Sequence, residues 1–194
     1  NNIENKTLIF YTNGLLGSRK SQTYSNFNDF MYNLSYWSSW SNGFNIWKSE
    51  FDKIDKNLKL NKLFPHTSLF LTQHQAKLFC INDNLLFDVQ RIPKRGGHNK
   101  FEAFTIEYPS LLDECCKKGH ISTKCKKHIL FGIMVQFLPS LLFNKYIIRI
   151  ETFDDTGFRD NLKKYYPSYA YWLVLISVLG VPFRLFCRKL KNKR

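Results

Sequence analysis

Residues 165–183, YYPSYAYWLVLISVLGVPF, run nineteen positions without a charged side chain. At a rise of about 1.5 Å per residue, a helix of that length is roughly 28 Å long, close to the hydrocarbon thickness of a bilayer. Tyr165, Tyr166, Tyr169, Tyr171 and Trp172 crowd its amino end, where amphipathic rings favour the headgroup level. Lys163 and Lys164 precede it, and Arg184, Arg188, Lys189, Lys191, Lys193 and Arg194 follow, six basic residues in the last eleven. Such a tail favours a cytoplasmic carboxyl terminus. The stretch therefore predicts a C-terminal transmembrane helix anchored by Tyr169, Trp172, Leu173, Leu175, Leu179 and Phe183, with the six basic residues on anionic lipid headgroups. Cys187, between Arg184 and Arg188, is a candidate for acylation. The competing reading is a buried core helix, because Pro167 and Pro182 shorten the ideal helix and Ser177 and Gly180 dilute the apolar run.

Immediately upstream, residues 129–144 (ILFGIMVQFLPSLLFN) are sixteen uncharged positions interrupted by Pro139. Two readings fit. One is a pair of strands, residues 129–138 and 146–153, the second alternating Ile148 and Ile150 against Arg149 and Glu151. The other is a second membrane segment forming a helical hairpin with the last one, preceded by Lys117, Lys118, Lys124, Lys126 and Lys127. The alternation favours strands.

Further towards the amino end, residues 7–12 (TLIFYT), bounded by Asn13 and Gly14, read as a strand and a turn. From Asn26, the residues Phe27, Phe30, Met31, Leu34 and Trp37 recur at helical spacing, and Trp47, Phe51, Ile54 and Leu58 make a second helical face ending at Pro65. Beyond Pro65 the period turns strand-like: residues 68–72, 76–81, 85–89 and 101–108 read as successive strands, with the basic loop 91–100 before the last. The expected fold is an α+β body, N-terminal helices followed by an antiparallel β-meander, closed by the C-terminal transmembrane helix. Its parts are residues 1–64, residues 65–164 and residues 165–194.

The 194 residues are 44% apolar, enough for a core and against wholesale disorder, and the net charge of +14 predicts an anionic partner. Asn1 opens the chain without an initiator Met, which suggests a fragment or a processed chain. Cys115, Cys116, His120, Cys125 and His128 are the densest set of soft ligands, but the C-x2-C pair usual for structural zinc is absent. No metal site or cofactor is expected; free thiols, or disulfides among Cys80, Cys115, Cys116 and Cys125 in an oxidising lumen, account for the cluster. Residues 14–20 (GLLGSRK) lack the spacing of a phosphate-cradling loop and read as a turn with exposed basic residues. Asp154 and Asp155 read as a solvated acidic turn. No hydrolase elbow, metalloprotease helix or dinucleotide fingerprint occurs, so no catalytic residue is assigned.

Glu50-Phe51-Asp52, then Pro65-x-Thr67-x-Leu69-x-Leu71-Thr72, then Phe87 with Gln90-Arg91, then Phe158-Arg159 before Trp172 and Pro182-x-Arg184 follow one another along the chain. In that order they resemble the transmembrane protein 151 family, over residues 48–188. The resemblance implies a multi-pass membrane protein of uncharacterised activity and carries over no catalytic residue. The expected function is an interaction or structural role at a membrane surface, with the lipid bilayer, its anionic headgroups and a protein as partners. The alternative is a basic organellar RNA-binding protein, ribosome-associated, using residues 91–100 and 117–127 on phosphates.

Overall fold

The computed structural model describes residues 6–88 and 99–192, with residues 188–192 described by backbone alone. The chain divides into two compact units, Asn1–Gln90 with Leu111–Ile129 and Arg91–Ser110 with Leu130–Arg194.

In the first unit, the strand expected over residues 7–12 forms as β1 (Leu8–Tyr11). It lies parallel to β3 (Phe79–Asn82), with Leu8 opposite Phe79, while β2 (Ser21–Tyr24) pairs antiparallel with the other side of β3. α1 (Phe27–Leu34) starts where Asn26 accepts the Asp29 N–H at 2.8 Å, an N-cap that satisfies one of the orphan donors of the first turn. Its buried face is Phe27, Phe30, Met31 and Leu34, as the helical spacing requires. Phe10, Phe27, Phe30, Phe70 and Phe79 meet in one ring cluster with centroids 5.2–6.2 Å apart, edge-on or tilted in most pairs, the geometries that ring quadrupoles favour.

The helices-then-meander layout is overturned: the chain is mostly helical, and the described strands make one small sheet near the amino end. The second helix shrinks to the single turn α2 (Lys48–Phe51), and Asp55 then takes the Asn57 N–H at 2.8 Å in a local turn that competes with helix continuation. Residues 68–72 belong to α3 (Pro65–Leu71). Pro65 opens this helix rather than closing the one before, because its missing N–H falls among the orphan donors of the first turn. Of residues 76–81 only the end is strand, in β3, and Leu85–Asp88 form none: Asn13 holds that stretch by accepting from the Leu86 and Phe87 N–H groups. Val89 and the basic residues 91–98 lie outside the described residues.

Residues 101–108, expected as a strand, lie in a helix built from α4 (Lys100–Glu102), a π-helical segment Ala103–Glu107 and α5 (Tyr108–Lys117). The alternation did mark buried positions, since Phe101, Ala103 and Thr105 are fully covered. A π segment has a wider turn than an α-helix, so its inward positions do not follow the 3.6-residue period. Residues 129–144 are likewise helical: α6 (Thr123–Gly132), a π segment Ile133–Phe137, α7 (Leu138–Leu142) and a π segment Phe143–Ile147 run on as one helix, Thr123–Ile147. The Ile148/Ile150 alternation is a helix exit, with Arg149 at φ 61° and the Ile150 N–H reaching back to the Asn144 carbonyl at 3.0 Å.

The C-terminal transmembrane helix is corrected too. α8 (Phe158–Tyr165) ends before Pro167, α9 (Ala170–Leu179) is only ten residues long, and α10 (Val181–Asn192) leaves it at 51°. Pro182 sits in the first turn of α10, directly after the break at Gly180. A helix of ten residues is about 15 Å long, half of what a bilayer needs. Among the described residues, the helix long and apolar enough to cross a membrane by itself is the mid-chain Thr123–Ile147.

Candidate membrane-contacting surface

Within the second unit, α9 packs on the π segment Ile133–Phe137 and on α7, and α8 packs on the π segment Ala103–Glu107. Among the described residues these contacts leave one side of α9 open. Ala170 and Val174 are buried, whereas Trp172 is 59% exposed, Ile176 65% and Leu179 81%, and Phe183 at the start of α10 is 71% exposed. Tyr169 and Leu175 are exposed as well, and Leu173 is half-buried. Of the expected anchoring residues, Tyr169, Trp172, Leu179 and Phe183 thus share an outer face that no described part of their own unit covers, whereas Leu173 is partly covered and Leu175 lies at the margin of that face. Half of the most apolar window of Thr123–Ile147 is buried inside the chain.

Two side chains pin these helices together, each near a proline. Proline has no N–H, and in the π segment before Pro139 the Leu138 N–H goes to Ile133, so the ladder loses its next donor, the one for Met134. The Arg184 guanidinium donates one residue on, to the Val135 carbonyl at 2.6 Å, with a second contact to the Ser177 carbonyl at 3.3 Å. In the other π segment the Tyr108 N–H goes to Ala103, so the next donor in that ladder, for Phe104, would be Pro109. The Tyr166 hydroxyl supplies it, donating to the Phe104 carbonyl at 2.7 Å. Val135 is the central residue of Thr123–Ile147, so Arg184, expected at a headgroup, lies against the middle of that helix. The side chains of Arg188, Lys189 and Lys191, and all of Lys193 and Arg194, lie outside the described residues.

The loop after Ile147 returns under close electrostatic control. Lys145 pairs with Asp155 at 2.8 Å and donates to the Phe153 carbonyl, the Tyr146 hydroxyl donates to Asp155, and Lys100 pairs with Glu151 at 2.8 Å. Burial alone would raise the Asp155 pKa, but Lys145 and Tyr146 hold it below the usual carboxylate range. Asp154 accepts from the Thr156 N–H and hydroxyl in a local turn. Both carboxylates are therefore engaged by the chain.

The remaining sequence candidates are in the first unit, apart from Cys187, a half-buried thiol on α10. The soft-ligand set does not converge: His120 stacks on His74 at 3.5 Å between centroids, His128 stacks on Tyr32 at 4.0 Å, and the Cys125 thiol points at the Asn28 carbonyl. Among the described residues no three His, Cys, Asp or Glu side chains are placed to hold a metal ion. Cys115 is a core thiol, pushed up to about 12 by burial first and neighbouring thiols second. Lys117 and Lys126 both pair with Asp113, and Lys118 pairs with Glu114, so three of the lysines offered to RNA face carboxylates.

The glycine loop does wrap an anion, but the anion is the protein's own. Fully buried Asp83 accepts from the Thr12 hydroxyl at 2.6 Å, from the Leu16, Ser18 and Arg19 N–H groups at 2.7–3.1 Å, and from the Ser18 hydroxyl. Gly14 and Gly17, at φ 79° and 77°, supply the left-handed turns that point these N–H groups inward.

No family model, no curated protein and no solved structure matches the chain.

Proposed function

We propose that the chain is a membrane-anchored protein with an interaction or structural role at a membrane surface. One observation carries this reading: α9 is apolar on every side, yet among the described residues of its own unit only its Ala170 and Val174 are buried. A helix apolar all round is stable only when something apolar surrounds it. Trp172, Ile176, Leu179 and Phe183 in water would each forfeit about 1.5–3 kcal/mol that burial would return. In this reading Thr123–Ile147 crosses the bilayer and the bent pair α9–α10 embeds its uncovered face beside it. The resemblance to the transmembrane protein 151 family points the same way.

Charge sets the orientation. Lys117, Lys118, Lys124, Lys126 and Lys127 lie at or before the amino end of Thr123–Ile147 and six more basic residues follow in the tail from Arg184 to Arg194, while residues 145–164, between the two helices, hold five. The amino end of that helix is then cytoplasmic. Tyr171, Leu175 and Val178 lie beside Ile147 and Leu142, and Arg184 reaches Val135, so α9 runs back against the helix and returns the basic tail to the cytoplasmic face. An arginine at mid-helix depth is tolerated where backbone carbonyls receive it, as those of Val135 and Ser177 do here.

The test is alkaline carbonate extraction of membranes from cells expressing the full chain, beside the variant Ile133→Lys/Leu141→Lys/Ile176→Lys. Retention of the parent chain in the pellet and release of the variant support the reading. Release of the parent chain overturns it.

A further inference from the structure

A groove of about 590 Å³ lies in the second unit between the carboxyl end of Thr123–Ile147 and the α8–α9 corner. Its polarity runs lengthwise. Tyr171, Leu175 and Val178 line one wall at helical spacing, so they form one face of α9, and Leu142 and Ile147 line the opposite wall. The charged residues gather at the Tyr171 end, where the Arg159 guanidinium lies over the Tyr171 ring at 5.4 Å, with Asp160 beside it in the lining. A cationic and aromatic mouth leads into two helical turns of aliphatic wall.

The charges at the mouth are not equivalent. Asp155 is neutralised by Lys145 and Asp160 faces Lys163 at 2.7 Å, while Arg159 has no carboxylate within ion-pair distance among the described residues. Arg159 is therefore the group left to receive an anion, and a guanidinium matches phosphate geometry. Asp160, exposed and next to it, holds Lys163 through Oδ1 alone and leaves Oδ2 for a second cation. A phosphate carrying a tethered ammonium fits this pair, and a headgroup with a second negative charge does not.

We propose that this groove is a binding site for a zwitterionic glycerophospholipid, its phosphate on Arg159, its ammonium towards Asp160 and one acyl chain along Leu175 and Val178. The inference rests on the membrane reading above and deepens it. In that orientation the mouth faces the leaflet opposite the cytoplasm, away from the anionic lipids concentrated on the cytoplasmic side. The aromatic belt of Tyr165, Tyr169 and Trp172 sits at the same end of α9, so the groove and a lipid in that leaflet point the same way.

The experiment uses the full chain in vesicles doped with phosphatidylcholine carrying a photoactivatable acyl chain, with cross-linked residues mapped by mass spectrometry. Carbonate extraction of the same vesicles reports membrane insertion separately. The expected result is labelling at Leu142, Leu175 and Val178, competed by unlabelled phosphatidylcholine more effectively than by phosphatidylglycerol. Arg159→Gln should cut this labelling about tenfold, the size of one charge-assisted hydrogen bond, and Arg159→Lys should restore part of it. Leu175→Trp, which fills the apolar wall, should abolish it with insertion unchanged. Labelling of an inserted chain that ignores both the headgroup and Arg159→Gln means bulk lipid contact only, and overturns the site but not the membrane reading. A chain released by carbonate overturns both.

Discussion

Arg184 donates to the carbonyl oxygen of Val135, inside the π segment that ends just ahead of Pro139. The same relation recurs where Tyr166 donates to Phe104 ahead of Pro109. Two prolines inside apolar helices, each preceded by a π segment, are thus matched by two side chains from the carboxyl-terminal part of the same unit.

Arg184→Gln should destabilise the protein by about 1–3 kcal/mol, the cost of leaving a buried carbonyl unsatisfied. Reversible unfolding in mild detergent measures it. Arg184→Lys, which keeps a charged donor on a long side chain, should recover part of the loss. An equal loss in Arg184→Lys and Arg184→Gln would show that Arg184 acts through some other contact.

Tyr166→Phe keeps the buried ring and removes only the hydroxyl. The expected loss is about 1 kcal/mol, read as a lower unfolding midpoint with an unchanged denaturant slope. Tyr166→Leu should cost more, because the ring is lost along with the donor.

Burial raises the pKa of Asp83, but the donors from Thr12, Arg19, Leu16 and Ser18 outweigh it and hold the group below the ordinary carboxylate value. A depressed folded pKa means that the unfolded chain binds the proton more readily, so stability is complete above the unfolded value of about 3.9 and is lost as pH falls through the folded one. Acid titration of Asp83→Asn should show a protein destabilised at neutral pH and a flatter loss below pH 4. A curve parallel to that of the parent would exclude Asp83 as the source of the acid response.

His120 titrates low because burial disfavours its charged form, helped by His74 stacked against it and by Lys118. Here also the unfolded chain takes up the proton first. Stability should be complete above the unfolded value of about 6.5 and decline as pH drops towards the folded one. His120→Gln should remove that decline. His74→Phe, which keeps a stacked ring without its charge, should weaken it.

The first strand and α1 were legible because each carries its own instructions: residues 8–11 are aromatic and aliphatic, and Asn26 caps a face of Phe27, Phe30, Met31 and Leu34. The helices beginning at Lys100 and Thr123, for which strands were favoured, have their starts written in the chain. Asn99 takes the Glu102 N–H at 2.9 Å and Ser122 takes the Cys125 N–H at 3.1 Å, both ordinary N-cap signals. Two-residue alternation drew attention from them, and in a π segment alternating burial is compatible with a helix. The uncovered apolar face was legible as a run of uncharged residues; its bend at Gly180 was foreshadowed by Pro182. The pairing of Arg159 with Tyr171 was not legible, because it depends on the corner between α8 and α9 and no local pattern encodes that turn.

Each π segment also acts as a phase shifter. It holds one residue more than the α turn it replaces, and a residue in a helix corresponds to about 100° of rotation. Deleting a single residue within Ile133–Phe137 would restore an α ladder and leave the downstream turns facing as they do, whereas deleting one from α6 would swing everything downstream by that angle. In the second case Leu138, Leu141 and Leu142, now buried, would turn away from their seats while the turns before the deletion stayed in place. The length of this helix is therefore an angular specification as much as a reach, and a chain shorter by one residue outside the π segments would be misaligned rather than merely truncated.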